Sequence, residues 1–273
     1  MDQTARQTRL RARTKALRPY VHLAVPLAFF VMMLVFFPFH TLFEIDGDEG
    51  VEAMKAFMLL RGYPLYRAIW SDHPPLFTYL LAGAFKLFGA DINTGRILVL
   101  AFSSLLVWAG YEFLRRFWGQ AHALAGAVLI VLSPYYLILS VSNMIGLPAI
   151  SLAVLAMLLA GLWHRQRSRR WLALSALAMG LSVLTKIFTA FLAPILLTGI
   201  LVDGYARRRS LSEWREILRP ALIWGAVFAV VLLSLVAIAG PANVSQLIAP
   251  HLGAQGSELF RQYTRQFSID HHL

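Results

Sequence analysis

The amino-acid sequence is dominated by long apolar segments, and these restrict the chain to a membrane fold. Six segments of about 20 residues or more are joined by polar connections; they cover residues 20–43, 95–114, 121–140, 143–163, 171–202 and 219–240. At about 1.5 Å per residue, each is long enough to cross a bilayer as a helix. Charged residues make up 14% of the chain, against about 25% in soluble domains, which excludes a water-soluble globular protein.

Basic residues cluster in the connections and predict the topology. Six of them lie in residues 1–19, a basic cytoplasmic N-terminus before an uncleaved first span, and further clusters lie in residues 115–116, 165–170 and 207–219. The positive-inside rule places all of these clusters in the cytoplasm. Residues 171–202 have basic flanks at both ends and are therefore predicted to form a hairpin of two short helices.

That hairpin is predicted to turn on the outside near Thr185-Lys186, and residues 121–163 are predicted to form a second hairpin that turns outside near residues 140–146. The apolar stretch 75–88 is only about 21 Å long as a helix, too short for a hydrocarbon core of about 30 Å. We therefore predict a helix at the outer surface. The expected fold is an all-α polytopic membrane protein with about seven transmembrane helices and two interfacial helices.

In this scheme residues 20–240 form the transmembrane domain, including an external loop at 44–94, and residues 241–273 begin a second large external loop. The formal net charge of +11 divides unevenly between the two sides: 17 of the 25 Lys and Arg residues, but five of the 14 acids, are predicted to be cytoplasmic. Membrane topology thus explains the charge, and no nucleic-acid partner is expected. The chain has no cysteine, which excludes thiolate catalysis and disulfides.

The first external loop concentrates acidic residues. Asp46, Asp48 and Glu49 lie at the start of a helical pattern that covers residues 49–61. We expect an interfacial helix here, and we expect it to end at Gly62. Asp46 and Glu49 have two open interpretations, a capping box or a functional site. Asp48 is not needed for a cap and is the stronger candidate for a base. A divalent metal at the three carboxylates is conceivable, since hard cations favour clustered oxygens, but spacing alone does not establish it.

Three basic side chains are candidates for holding an anionic ligand at the outer surface. His73 lies in a loop stiffened by two following prolines, and Arg96 and Lys186 lie at the predicted outer ends of spans. Snorkelling to lipid headgroups is the alternative for Arg96 and Lys186, and a solvated loop is the alternative for His73.

The order of short motifs along the chain is similar to that of one family. These motifs are Asp48-Glu49, residues 62–66 (Gly-Tyr-Pro-Leu-Tyr), Asp72-His73-Pro74-Pro75-Leu76, Phe88-Gly89, Arg96, Ser133-Pro134 and Leu184-Thr185-Lys186. The set resembles the protein O-mannosyltransferase and aminoarabinose-transferase-like family over about residues 20–260. Its members are membrane glycosyltransferases of the GT-C fold, often described as dolichyl-phosphate-mannose protein mannosyltransferase-like.

The resemblance implies a function and a set of site residues. It implies transfer of a sugar from a polyprenyl-phosphate donor to a protein, lipid or glycan acceptor on the extracytoplasmic face of the cell membrane, in one inverting step. The family's Asp-Glu pair falls on Asp48 and Glu49 as catalytic residues. Its phosphate-associated Lys-Pro pair falls on His73-Pro74, and its other basic positions fall on Arg96 and Lys186.

The chain departs from the family pattern in two places. Many members carry a carboxylate in the outer turn where this sequence has Ser142-Asn143-Met144-Ile145-Gly146. Members also continue through a long external loop and further spans, so we expect the chain to correspond to the amino-terminal portion. A transporter or flippase remains the alternative function, although acids collect in one loop rather than at mid-span. A non-catalytic membrane scaffold is a third.

Overall fold

The computed structural model describes residues 23–42, 45, 48–208 and 214–247, and these ranges contain helices and no β-strand. The all-α class is thereby confirmed. The helices are α1 (Leu23–Phe36), α2 (Asp48–Leu60), α3 (Leu76–Phe88), α4 (Ile92–Phe117), α5 (Gln120–Val131), α6 (Pro134–Leu139), α7 (Gly146–Gln166), α8 (Arg169–Thr185), α9 (Leu192–Arg208) and α10 (Trp214–Ala239). Short 3-10 turns occupy Phe39–Thr41, Ile187–Phe191 and Pro241–Asn243.

Within the described ranges, four helical segments are long and apolar enough to cross a membrane: α4, α7, the segment Ile187–Ala206 that includes most of α9, and α10. Helices α1, α3 and α5 are apolar but shorter. The predicted number of seven spans therefore stays a prediction. Helix α3 has 13 residues, about the length of the predicted surface helix. It is followed by Gly89, whose φ of 101° is accessible to glycine.

The apolar stretch 121–140 differs from the continuous span that its composition predicts. Helix α5 ends at Val131, and α6 begins at Pro134 after Ser133, whose hydroxyl accepts a hydrogen bond from the backbone N–H of Tyr136. Proline lacks a backbone N–H and fits the first turn of a helix, so Pro134 starts a new helix instead of continuing the old one. The remaining residues, 140–145, form the turn before α7.

Helix α8 lies at the centre of the bundle, with α7 on one side and α10 on the other. Serine hydroxyls tie it to α7: Ser175 donates to the carbonyl of Ala156 and Ser182 to that of Ala149, at 2.8 and 2.7 Å. A side chain at Gly180 would collide with Val231 of α10, so α8 and α10 approach closely there. Small and hydroxyl residues at helix contacts are typical of membrane bundles.

These contacts fix which helix ends lie together. The start of α7 and the end of α8 meet at Ala149 and Ser182, and Ser151 of α7 donates to the carbonyl of Phe102 in α4 at 2.7 Å. Arg96 and Lys186 therefore lie at the same end of the bundle. At the opposite end, Arg165 lies 4.7 Å from the ring centre of Phe117, which joins the basic clusters of α4 and α7.

Candidate active site

Helix α2 turns its polar face toward the protein and its apolar face outward. Glu49, Glu52 and Lys55 are buried, and they follow one another at three-residue intervals, which places them on one side of a helix. The exposed side carries Val51, Met54, Phe57 and Leu60. This reversal suits a helix at a membrane surface, where the apolar side chains can face lipid while the charges pair internally.

Glu49 and Arg96 form a fully buried ion pair between α2 and α4. The Nη2 and Nε atoms of Arg96 donate to the two oxygens of Glu49 at 2.8 and 3.1 Å, and both side chains are at most 1% exposed. The Nη1 atom of Arg96 donates to the carbonyls of Phe39 and Leu42, at 2.5 and 2.8 Å. Arg96 therefore joins α4 to α2 and to the chain that follows α1.

The carboxylate of Glu49 has two further donors. The backbone N–H of Ile45 donates to one oxygen at 2.8 Å, and that of Asn143 donates to the other at 2.7 Å. The side chain of Asn143 also donates to the carbonyl of Glu49 at 3.1 Å. Burial raises the pKa of Glu49, but Arg96 and the two backbone donors outweigh it and leave the pKa below its usual value. Glu49 is thus held ionised.

Asp48 is the first residue of α2 and its side chain is exposed. It precedes Glu49, whose four hydrogen bonds fix the start of the helix from three directions. The contacts of Glu49 therefore hold the backbone from which the side chain of Asp48 extends.

A second group of charges joins α2 to the loop that precedes α3. Lys55 lies 3.0 Å from Glu52 and 3.8 Å from Asp72, and Nδ1 of His73 lies 2.9 Å from Asp72 and 3.8 Å from Glu52. The hydroxyl of Thr78 in α3 donates to Glu52 at 3.5 Å. His73 therefore lies beside two carboxylates, those of Asp72 and Glu52.

Asp72 is ionised over a wide pH range. Burial raises the pKa of its carboxyl group, but the neighbouring imidazole of His73 and ammonium of Lys55 more than compensate and lower the pKa from 3.8 to about 2.

Lys186 follows the last residue of α8 in an extended conformation, and its side chain is half-buried. Its ammonium lies 5.8 Å from the ring centre of Phe188. Glu49 of α2 pairs with Arg96 and Glu52 of α2 lies beside His73, so the His73 loop is at the same end of the bundle as Arg96 and Lys186. Of the predicted site residues, the structure brings Glu49 and Arg96 into direct contact, whereas His73 contacts Asp72 and Glu52 instead.

The metal prediction involved Asp46, Asp48 and Glu49, and Asp46 lies outside the described residues. Each oxygen of Glu49 already accepts two hydrogen bonds, which uses the lone pairs that a cation would need. No group of three potential metal ligands occurs in the part of the chain that the structure describes. Glu49 therefore does not fit a metal.

Sequence reasoning missed the inward roles of Glu52, Lys55 and Asn143. Their signal was present for α2: residues 49, 52 and 55 are polar at helical spacing, opposite an apolar face. For Asn143 no such periodic signal exists, because the residue lies in a turn. The resemblance marks this turn only as a place where many family members carry a carboxylate.

The fold and this site together define a class: a polytopic helical membrane protein with a buried carboxylate–guanidinium pair and a charged, histidine-containing loop at one end of its bundle. Comparison with protein families identifies the family within this class. Residues 72–239 match the family described as dolichyl-phosphate-mannose-protein mannosyltransferase, and the chain belongs to it. The resemblance drawn from the sequence is confirmed.

The family makes the protein a membrane glycosyltransferase of the mannosyltransferase kind. The matched range includes His73, Arg96 and Lys186, and it begins after Asp48 and Glu49. A search of curated proteins gave no significant match.

Proposed function

We propose that the protein transfers a sugar from a polyprenyl-phosphate donor to an acceptor hydroxyl on the extracytoplasmic side of the cell membrane. The observation that carries this proposal is the position of Asp48, an exposed carboxylate beside the buried Glu49–Arg96 pair and at the same end of the bundle as His73 and Lys186. A carboxylate and cations at one membrane-facing end match the two requirements of transfer from a lipid phosphate.

In the proposed reaction Asp48 orients the acceptor hydroxyl and takes its proton. The acceptor oxygen forms a bond to the anomeric carbon while the bond from that carbon to the donor phosphate breaks, in one inverting step. The leaving polyprenyl phosphate keeps the bonding electrons and gains negative charge. His73 and Lys186 are the cations that we propose to stabilise it.

Arg96 has a different place in this proposal from the one that the sequence indicated. Its guanidinium is 0% exposed and its nitrogens already bond to Glu49 and to backbone carbonyls. We therefore assign Arg96 the role of holding Glu49, and through Glu49 the start of α2 and Asp48. Direct contact between Arg96 and the donor phosphate stays an untested prediction.

The orientation follows from the charges of the helix ends. The basic cluster around Arg115 and Arg165 lies opposite the Arg96 and Lys186 end, and the positive-inside rule places such a cluster in the cytoplasm. The site would then open to the extracytoplasmic side, where the apolar face of α2 lies against the outer leaflet. Both the orientation and the cell-membrane location are part of the proposal.

The test uses the full chain in lipid nanodiscs, with farnesyl phosphate and farnesol as probes that differ only in the phosphate. We expect farnesyl phosphate to bind at least tenfold more tightly, because a charged hydrogen bond contributes about 1.5–3 kcal/mol. K186Q should remove most of that preference, whereas K86Q, which changes an exposed lysine at the end of α3, should keep it. Equal affinity for both probes would contradict the proposed donor class.

Sugar transfer itself is measured with a radiolabelled polyprenyl-phosphate mannose in the same nanodiscs, by following the label from the lipid to water-soluble or protein-bound products. Label that stays on the lipid with every acceptor supplied, although farnesyl phosphate binds, would favour a flippase over a transferase. Transport of the lipid across the bilayer would then be the activity to measure.

A further inference from the structure

The residues after the last long helix return to the first external loop. Residues 241–247 follow α10, and Leu247, which is 1% exposed, packs with Leu65, Tyr66 and Ile69. This contact joins parts of the chain about 180 residues apart in sequence. It lies outside residues 72–239, the range that matches the family.

The side-chain amide of Gln246 bridges two backbone groups of the loop formed by residues 64–73. Its Nε2 donates to the carbonyl of Tyr66 at 2.9 Å, and its Oε1 accepts from the N–H of Ser71 at 3.5 Å. An amide can donate and accept at once, which neither a carboxylate nor an alkyl side chain can do. Gln246 therefore bonds to both backbone groups of the loop, as a peptide group of a neighbouring segment would.

Tyr66 carries this connection to His73. Its φ of 69° is unusual for a residue with a side chain, and such a conformation persists only where surrounding contacts hold it. Its hydroxyl donates to the carbonyl of His73 at 2.8 Å, and the hydroxyl of Ser71 donates to the same carbonyl at 3.1 Å. Both groups that Gln246 bonds thus belong to residues that hold His73.

We propose that Gln246 is a positioning residue for His73: through Tyr66 and Ser71 it locks the 64–73 loop, so that the imidazole stays beside Asp72 and Glu52 at the site. The chain that follows α10 thereby sets the geometry of the 64–73 loop. That His73 binds a phosphate rests on the proposed function, whereas the locking of the loop does not.

The test compares Q246A and Q246E with the wild type and with Q166A. Gln166 accepts a hydrogen bond from the indole of Trp171 at the other end of the bundle, so Q166A removes a similar side-chain amide elsewhere. The first readout is the rate at which diethyl pyrocarbonate modifies His73 in nanodiscs, measured by mass spectrometry, with the exposed His122 and His164 as internal references.

We expect Q246A, which removes both the 2.9 Å bond to Tyr66 and the longer 3.5 Å bond from Ser71, to raise the His73 rate at least about fivefold. Q246E should be at least as fast, because its carboxylate faces the carbonyl of Tyr66. Q166A should leave the His73 rate unchanged. An unchanged rate in Q246A would overturn the proposal, and so would an equal increase at His122 and His164, which would indicate general loosening.

The second readout is the affinity for farnesyl phosphate, which we expect to fall in Q246A while the affinity for farnesol stays constant. The variant Y66F, which lacks the hydroxyl that bonds to His73, should show the same pattern, and Q246A/Y66F should lose less than the sum of both. Strict additivity would contradict a shared path through the loop. If the wild type does not bind farnesyl phosphate, the proposed function fails, and the modification rates still decide the role of Gln246.

Discussion

The guanidinium of Arg96 grips the carboxylate of Glu49 through two hydrogen bonds of 2.8 and 3.1 Å, although 47 residues separate them in sequence. Each is buried, and each has additional backbone partners that satisfy its remaining hydrogen-bonding atoms. Such complete satisfaction is the condition under which a buried ion pair is tolerated. The pair therefore joins the start of α2 to the start of α4, to the chain at residues 39–45 and to the turn before α7.

Loss of the guanidinium should be severe. We expect R96Q to destabilise the protein by about 3–5 kcal/mol, because it leaves the charge of Glu49 buried without its partner. The measurement is thermal unfolding in detergent, compared with R116Q, which removes an arginine that pairs with Glu112 but is itself 36% exposed. The double variant E49Q/R96Q should lose less than the two single variants combined. Similar unfolding temperatures for R96Q and R116Q would be inconsistent with this prediction.

The positions of helices α2 and α3 could be predicted well from the sequence because their ends are determined locally. Glycines follow α2 and α3, at Gly62 and Gly89, and both have the positive φ that ends a helix. The turn after Thr185 was predicted from basic flanks at both ends of a segment too long for one span. These are signals that a single stretch of sequence carries by itself.

The partners of the site residues could not be predicted in this way. Arg96 has no acid close by in sequence except Asp91, and its pairing with Glu49 depends on how α2 lies across α4. The bond from Asn143 to Glu49 likewise depends on how the turn before α7 packs against the start of α2. A proline such as Pro134 disrupts a helix that would run through it, but whether the helix bends or breaks there depends on the packing of α5 and α6.

The second prediction concerns Asp48. We expect D48N to abolish sugar transfer and to leave the unfolding temperature within about a degree of that of the wild type. Substitutions of exposed residues usually change the free energy of unfolding by at most about 0.5 kcal/mol. Asn cannot accept a proton, although its shape is the same. The assay follows label from a polyprenyl-phosphate mannose in nanodiscs. The control is D91N, which alters a carboxylate that caps α4 and retains a side chain able to cap. Transfer by D48N at the wild-type rate would remove Asp48 from the mechanism.

The third prediction concerns acid stability. The folded-state pKa of Asp72 is lowered from 3.8 to about 2, so its stabilising contribution is complete above about pH 4 and is lost as the pH falls toward 2. The lowering corresponds to about 2 kcal/mol, and Glu49 adds to it in the same direction. We expect the unfolding temperature to fall below pH 4 and the fall to be smaller in D72N. The measurement is thermal unfolding from pH 7 to pH 2.5, and identical acid profiles for D72N and the wild type would contradict it.

The last prediction concerns the contact between α4 and the turn before α7. Gly95 is buried, and a Cβ there would collide with the side chain of Asn143, which holds the carbonyl of Glu49. Relief of the collision requires Asn143 to move, so we expect G95A to destabilise the protein by about 1–3 kcal/mol, as overpacking does, and to lower sugar transfer. The matched control is G83A in α3, where a Cβ would meet nothing within 4 Å. Because alanine is the better helix former, G83A should be neutral or slightly stabilising. A G95A variant as stable and active as G83A would show that the turn carrying Asn143 can shift without disturbing Glu49.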